Sequence, residues 1–336
     1  LNKSQDHNAA VQLARRIASR AVNPGGTPSA TRLRAAVAGR TVLVTGASHG
    51  IGRATAIRLA RAGATVLLVA RSADLLEELA EQLRADGAAA HALPADLSDA
   101  ERAVPALARR VLVEHGAPDV VVNNAGKSIR RAVAQSFDRF HDYTRTNDLN
   151  YLGPVRLLLE LLPAMRARGG GHVVNVSTVG VLLPPSPRWS AYQASKAAFD
   201  VWLRSAATEL HGDGITATSL YMALVHTRMS APTDDFKLVP GLSPDEAAGL
   251  VCRAIVERPS AIAPWWASAA ALIDVAARGA SDRLVRLYAA RFTSRGAPPA
   301  PAAGASASPD SPAPARAAPA PADPSAPARR EGGAPS

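Results

Sequence analysis

Residues Thr45-Gly46-Ala47-Ser48-His49-Gly50-Ile51-Gly52 follow directly on the apolar run Thr41 to Val44 and open a stretch of helical periodicity. Glycines allow the backbone to approach a ligand where a Cβ would obstruct it. The start of a helix offers unpaired N–H groups and the positive end of a dipole, so an anion is held there. A short buried strand, a glycine turn and a helix together read as a seat for the pyrophosphate of a dinucleotide. The same unit commits the chain to alternating strands and helices.

The alternation continues. Apolar runs at Ala64 to Val69, Ala88 to Leu93, Val120 to Val122, His172 to Val176 and Ile215 to Leu220 predict further strands. Between them, Ile51, Ala54, Ile57 and Ala60 fall near one helical face, with Gly63 at the expected stop. Ser72 is placed to cap a helix bearing Leu75, Leu79 and Leu83, and Ser98 with Glu101 has the spacing of a capping box. Continuous apolar strands between amphipathic helices mean a sheet covered on both faces. The predicted fold class is α/β: a doubly wound, Rossmann-type parallel sheet in one domain, residues 40–296. A basic leader (1–39), read as an amphipathic helix, precedes it. A Pro/Ala/Ser-rich tail (297–336), poor in large apolar residues and so expected to be disordered, follows it.

Charge and composition exclude several classes. The net charge of +10 is concentrated early, since residues 1–40 hold seven cationic side chains against Asp6 alone. The body is therefore only mildly basic, and no nucleic-acid partner is expected. A single cysteine, Cys252, forbids an intrachain disulfide and fits a reducing cytoplasm. The eight histidines lack metal-ligand spacing, so no metal site is expected. The longest apolar stretch, Ile262 to Ala277, is interrupted by Asp274 and is too short to span a bilayer. Within the leader, Leu13, Ala14, Ile17, Ala18 and Ala21 project opposite Arg15, Arg16 and Arg20. Such a helix can make peripheral contact with an anionic membrane, dock on its own domain or stay unstructured, and the sequence leaves all three open.

Two features narrow the chemistry. The second strand ends Val69-Ala70-Arg71, with no acid to accept from ribose hydroxyls and a cation placed for a 2′-phosphate, so NADP(H) is the expected cofactor, with Arg53 as a helper. Far downstream, Tyr192 and Lys196 stand four apart, on one face of a helix. A free phenol has a pKa of about 10 and shuttles protons poorly unless a nearby ammonium stabilises its anion. With the glycine turn, this pair points to a nicotinamide-dependent oxidoreductase.

These residues resemble the short-chain dehydrogenases/reductases over roughly residues 40–260. The resemblance rests on Thr45 to Gly52, Asp96-Leu97, Asn123-Asn124-Ala125-Gly126, Asn150, Ser177-Thr178 and Tyr192-Gln193-Ala194-Ser195-Lys196. It implies that Gly46, Ser48, His49, Gly50, Ile51 and Gly52 surround the pyrophosphate and that Asp96 and Leu97 flank the adenine. It further implies that Asn123, Ala125 and Gly126 lie beside the cofactor, and that Val225 and Thr227 meet the nicotinamide carboxamide. Asn150, Thr178, Tyr192 and Lys196 would form the catalytic tetrad, with Ser177 the alternative hydroxyl, because neighbouring strand residues face opposite ways. Tyr192 and Lys196 would also hold the cofactor. Met222-Ala223-Leu224 replaces the family's Pro-Gly after the sixth strand.

A narrower resemblance is to the reductase domain of bacterial long-chain fatty acyl-CoA reductases. It is carried by Tyr221 to Thr233, Ser186 to Tyr192, Ile262-Ala263-Pro264, Asp282-Arg283-Leu284, Tyr288 and Phe292. It implies a lipophilic substrate (fatty aldehyde, acyl-CoA or keto lipid) and a homodimer or homotetramer. Leu182, Leu183, Trp189, Met222 and Met229 suit an extended apolar chain, or else fill the core or a subunit interface. Trp265, Trp266, Leu272, Ile273 and Val275 suit a lid, a membrane-facing surface or subunit packing. A generic ketone or alcohol reductase and a non-catalytic NADP-binding scaffold are the competing functions; the intact Tyr192/Lys196 pair argues against the scaffold.

Overall fold

The computed structural model describes residues 25–231, 233 and 239–293. The leader helix expected within Val11 to Val22 and the tail 297–336 lie outside the described residues. Helix α1 (Ala30–Val37) is followed by β1 (Thr41–Thr45), α2 (Gly50–Arg61), β2 (Thr65–Ala70), α3 (Ala73–Ala85), β3 (Ala90–Pro94), α4 (Ala103–His115) and β4 (Val120–Asn123). Next, α5 (His141–Asn147) runs through one π-helical turn (Asp148–Leu152) into α6 (Gly153–Ala167). The rest is β5 (Gly171–Thr178), α7 (Ser190–Glu209), β6 (Ile215–Met222), α8 (Pro244–Glu257), β7 (Ala261–Ile262), α9 (Trp265–Ala276) and α10 (Arg278–Thr293). No helix among the described residues is long and apolar enough to cross a membrane.

The seven strands form one sheet in the order β3-β2-β1-β4-β5-β6-β7, parallel throughout. This is the doubly wound sheet expected from the alternation. The inner strands β1, β2 and β4 are buried and largely apolar on both sides because both sides are covered, whereas edge strand β3 exposes His91 and Pro94. Val42 and Val44 of β1 pack with Ala56, Leu59, Leu76 and Leu79 on one face, while Leu43 packs with Val104, Leu157, Leu161 and Phe199 on the other. The strand order reverses between β1 and β4, which opens a crevice at their carboxyl ends.

Several local expectations shift. The buried line on α3 is Leu76, Leu79 and Leu83, while Leu75 is exposed, because i, i+3, i+7 follows the helical period more closely than repeated steps of four. On α2 the buried face is Gly52, Thr55, Ala56, Leu59 and Ala60. Ser72 sits at the N-cap of α3 without a side-chain capping bond. Ser98 and Glu101 do not open a helix. The Ser98 amide and hydroxyl both donate to Asp96 Oδ1, at 3.0 and 2.7 Å, and α4 begins only at Ala103. The seventh strand is two residues long, too short to leave a periodic signature.

Candidate active site

The glycine turn is built as the sequence requires. Gly46 has φ +67°, and a Cβ on Gly52 would run into the Gly46 carbonyl oxygen and Asn124 Nδ2. The turn is strapped to the next strand over. Thr45 Oγ1 accepts from the amides of Asn124 and Ala125 at 2.9 and 3.0 Å and donates to the Val122 carbonyl at 3.2 Å. Asn124 Nδ2 donates to the Thr45 carbonyl at 2.9 Å. Gly50 and Ile51 begin α2, and the N-cap His49 makes no side-chain capping bond. The His49 ring instead lies 3.0 Å from Ser48 Oγ on one side and 3.4 Å from an Arg228 guanidinium nitrogen on the other.

Arg71 is exposed directly after β2, and its charge is felt by both Asp96 and Lys127, which places the three at one end of the crevice. Burial disfavours the Asp96 carboxylate, but the Ser98 hydrogen bonds and the nearby cations outweigh it and hold Asp96 below the usual range. Leu97 is buried with its carbonyl against Gly153. Arg53 is turned elsewhere, donating to Gln82 Oε1 at 3.0 Å. Asn123 is buried and donates to Asn175 Oδ1 at 3.3 Å.

Asn150 sits in the π-helical turn, a distortion that recurs at functional sites because it re-aims a side chain. Its Oδ1 accepts from the Lys127 amide at 2.8 Å, and its Nδ2 donates to the Lys127 carbonyl and to Ser195 Oγ, both at 2.9 Å. Gly126 leaves room here: a Cβ on it would lie 3.3 Å from Asn150 Oδ1 and 3.4 Å from Lys196 Nζ. Asn150 and Lys196 are thus neighbours across Gly126.

Tyr192 and Lys196 occupy successive turns at the start of α7, and Trp189 at its N-cap meets the Tyr192 ring edge-on at 5.9 Å. Part of the Tyr192 side chain is open to solvent, yet its hydroxyl lies among enough protein atoms that burial pushes the phenol up to about 12. A hydrogen bond from Thr178 pulls the other way. Lys196 is 5% exposed; burial pushes its ammonium down to about 8, and Nζ donates to the Val176 carbonyl at 3.0 Å. The balance therefore differs from the one expected. The phenol is raised rather than acidified, because Lys196 spends a proton on a strand carbonyl and desolvation dominates.

Thr178, not Ser177, is the hydroxyl at Tyr192. Ser177 is 5% exposed, and its Oγ has no hydrogen-bond partner among the described residues. Val225 pairs with Leu242 in an isolated parallel bridge, and Ser230 Oγ accepts from the Thr227 amide at 2.9 Å and donates to the Val225 carbonyl. The loop that lacks the family's Pro-Gly is tied down in this way instead. Thr45, Asn124, Lys127 and Ser195 are structural members of the site that sequence reasoning did not single out. Three of the four lie inside the quoted motifs, so their position was the available signal.

A doubly wound sheet with a glycine turn at its switch point, and a Tyr/Lys pair facing a strand-end hydroxyl, defines a nicotinamide-dependent oxidoreductase. The sequence model of the family described as short chain dehydrogenase matches residues 40–237, and the chain belongs to that family, whose members depend on NAD(P). An uncharacterized oxidoreductase of Mycobacterium tuberculosis is 46% identical over 255 residues, 75% of this chain and 74% of that protein. A fatty acyl-CoA reductase of Acinetobacter baylyi is 46% identical over 227 residues, 68% and 76% of the two chains. Among solved structures, a metagenomic short-chain oxidoreductase in complex with NADP superposes with a TM-score of 0.57 at 30% identity, covering 66% of this chain and 92% of that one.

Proposed function

We propose that this protein is an NADPH-dependent reductase that delivers a hydride to the carbonyl of a lipophilic substrate: a fatty aldehyde, an acyl-CoA or a keto lipid. The observation that carries the reading is Tyr192, held in hydrogen-bond contact with Thr178 at the carboxyl end of β5. A phenol raised to about 12 keeps its proton throughout the physiological range. That is the form able to donate to a carbonyl oxygen, and in the reverse direction the same group would take the proton from an alcohol.

The residues fit a dinucleotide. The open N-terminus of α2 and the close approach allowed at Gly52 suit a pyrophosphate, with Gly46, Ser48, His49, Gly50 and Ile51 around it. Asp96 and Leu97 would take the adenine side; Asn123, Ala125 and Gly126 would floor the crevice; Val225 and Thr227 would meet the carboxamide. Arg71 beside Ala70 favours the 2′-phosphate form, whereas Arg53, engaged by Gln82, is not needed for it. When bound, the reduced nicotinamide supplies the hydride. Tyr192 donates the proton to the developing alkoxide and Thr178 steadies the same oxygen. Lys196 and Asn150, adjacent across Gly126, position the ribose side and the proton path behind the phenol. Residues 40–296 are assigned as the catalytic domain. Leu159 on α6 and Val201 on α7 are exposed and support a homodimer or homotetramer assembled through these helices.

The lipophilic assignment draws on the similarity to the acyl-CoA reductase and on the apolar side chains at the mouth, Leu182, Leu183 and Trp189. It is tested by NADPH oxidation across acyl-CoAs, aldehydes and ketones of increasing chain length. A rate optimum at long chains is expected. Equal rates on short, polar ketones would leave a generic carbonyl reductase in its place.

A further inference from the structure

Helix α9 is turned the wrong way round for a soluble protein. Its small residue Ala267 is fully buried and the carboxylate-bearing Asp274 side chain is only 14% exposed, whereas Leu272 and Val275 are each 72% exposed and Trp265 is 76% exposed. An amphipathic helix of a water-soluble domain puts its large apolar side chains inward. Here the one buried residue is small, and the large apolar side chains face out. Helix α10 continues the pattern: Leu284, Leu287 and Tyr288, at i, i+3, i+4, share one exposed face. Two consecutive helices thus present apolar side chains that nothing in the core requires, a larger run than scattered surface leucines account for.

The charges beside this face say what would cover it. Arg283 is one step from the Leu284/Leu287 line on α10, Arg286 lies further round the same helix, and Arg278 stands between the two helices; all three are exposed. The acidic side chain of α9, Asp274, pairs with Arg278 at 3.8 Å, and Asp282 is the one exposed acid on α10. An apolar face with an aromatic at its start, on helices that carry three exposed arginines against one exposed acid, is complementary to an anionic bilayer surface. Apolar side chains enter the acyl boundary there, aromatics favour the interface, and arginines meet headgroup phosphates.

We propose that the α9–α10 face docks this protein on membranes containing anionic lipid. None of its residues is among those assigned to the cofactor or to proton transfer.

The test is co-sedimentation of the full chain with phosphatidylcholine vesicles, with and without one-quarter phosphatidylglycerol, read as the partition coefficient. The expected result is binding that needs the anionic lipid and weakens with salt. Replacing both leucines (L284E/L287E) lowers the coefficient by about tenfold or more. R283Q/R286Q removes most of the preference for phosphatidylglycerol. NADPH binding by fluorescence stays unchanged in both variants and shows that they are folded. Three results would overturn the proposal. The wild-type chain could stay in the supernatant with every vesicle; L284E/L287E could partition like the wild type, which would place membrane contact elsewhere on the chain; or sedimentation velocity could show L284E/L287E breaking an oligomer while neither protein binds vesicles, which would make this face an interface between copies.

Discussion

The hydroxyl of Tyr192 carries one proton, and the proposed chemistry depends on where it goes. Tyr192→Phe removes that proton with almost no change in volume. Turnover with an active carbonyl substrate is expected to fall by about 10²–10⁴-fold, the usual worth of a general acid, while NADPH affinity by fluorescence titration stays the same. Retained turnover would refute the assignment. The two hydroxyls at the end of β5 should separate just as clearly. Ser177 Oγ is buried with no hydrogen-bond partner among the described residues, so Ser177→Ala deletes a group that costs stability where it is; activity should be unchanged and stability equal or higher. Thr178→Val keeps the shape and removes the hydroxyl that faces the phenol, so kcat should drop with little change in KM for NADPH. The reverse ranking of these two variants would show that the other side of the strand is the working one. The sequence could not choose between them, because a shift of one residue in strand register exchanges their faces. Thr45 and Asn124 were inconspicuous for a different reason. They act through backbone groups, and such partners have no sequence spacing of their own.

Two segments of this chain carry the same S-x-x-E pattern, and only one becomes a cap. Ser243 and Glu246 form a reciprocal capping box at the start of α8, with Pro244 preset for the first helical position. Ser98 and Glu101 do not, because Asp96, two residues earlier, takes both the amide and the hydroxyl of Ser98. A pattern of four residues cannot reveal a competitor lying just outside it. Ser243→Ala is therefore expected to lower the stability of the domain by about 1 kcal/mol in urea unfolding. Ser98→Ala should act instead on Asp96, through which the adenine would be felt. If Ser243→Ala left the unfolding midpoint unmoved, the cap would be ornamental. Long, regular elements were legible in advance: β1, β2, β5 and β6 all fall where continuous apolar runs were found. The two-residue β7 and the π-helical turn were not, since one is shorter than any period and the other differs from an α-helix by one hydrogen-bond step.

Among the described residues, several polar groups are buried on the neighbouring strands β4, β5 and β6. His172 on β5 is fully buried, its Nδ1 2.8 Å from Thr216 Oγ1 and its Nε2 3.3 Å from Thr218 Oγ1. Burial pushes this imidazole down to about 4. An unfolded histidine takes its proton near pH 6.5, so between 6.5 and 4 the unfolded chain binds more protons than the folded one. The contribution is fully present above pH 6.5 and is lost as pH falls toward 4, with a total of roughly 3 kcal/mol. His172→Gln should flatten the decline in unfolding free energy between pH 7 and pH 5; an identical slope in both proteins would show that another group is responsible. The fold class was readable because burial on both faces of a parallel sheet imposes apolar strands. The subsurface polar row was not, since it joins residues from four elements that are far apart in the chain.

That row runs from Asn123 to Asn175 to Ser219 and ends at Asp200, which accepts from Ser219 Oγ at 2.6 Å and from the Tyr221 hydroxyl at 2.8 Å. Asp200 stands one turn beyond Lys196 on α7, so the helix bearing Tyr192 and Lys196 is bolted to the middle of the sheet. The segments 182–189 and 223–231 are held by more local bonds instead, such as the Ser186 amide to Gln193 Oε1 and the Thr227 amide to Ser230 Oγ, both at 2.9 Å. On the proposed function, proton transfer and substrate choice therefore fall to different parts of the molecule. Lineages could rewrite these segments to accept new carbonyl compounds while inheriting the proton-handling apparatus intact.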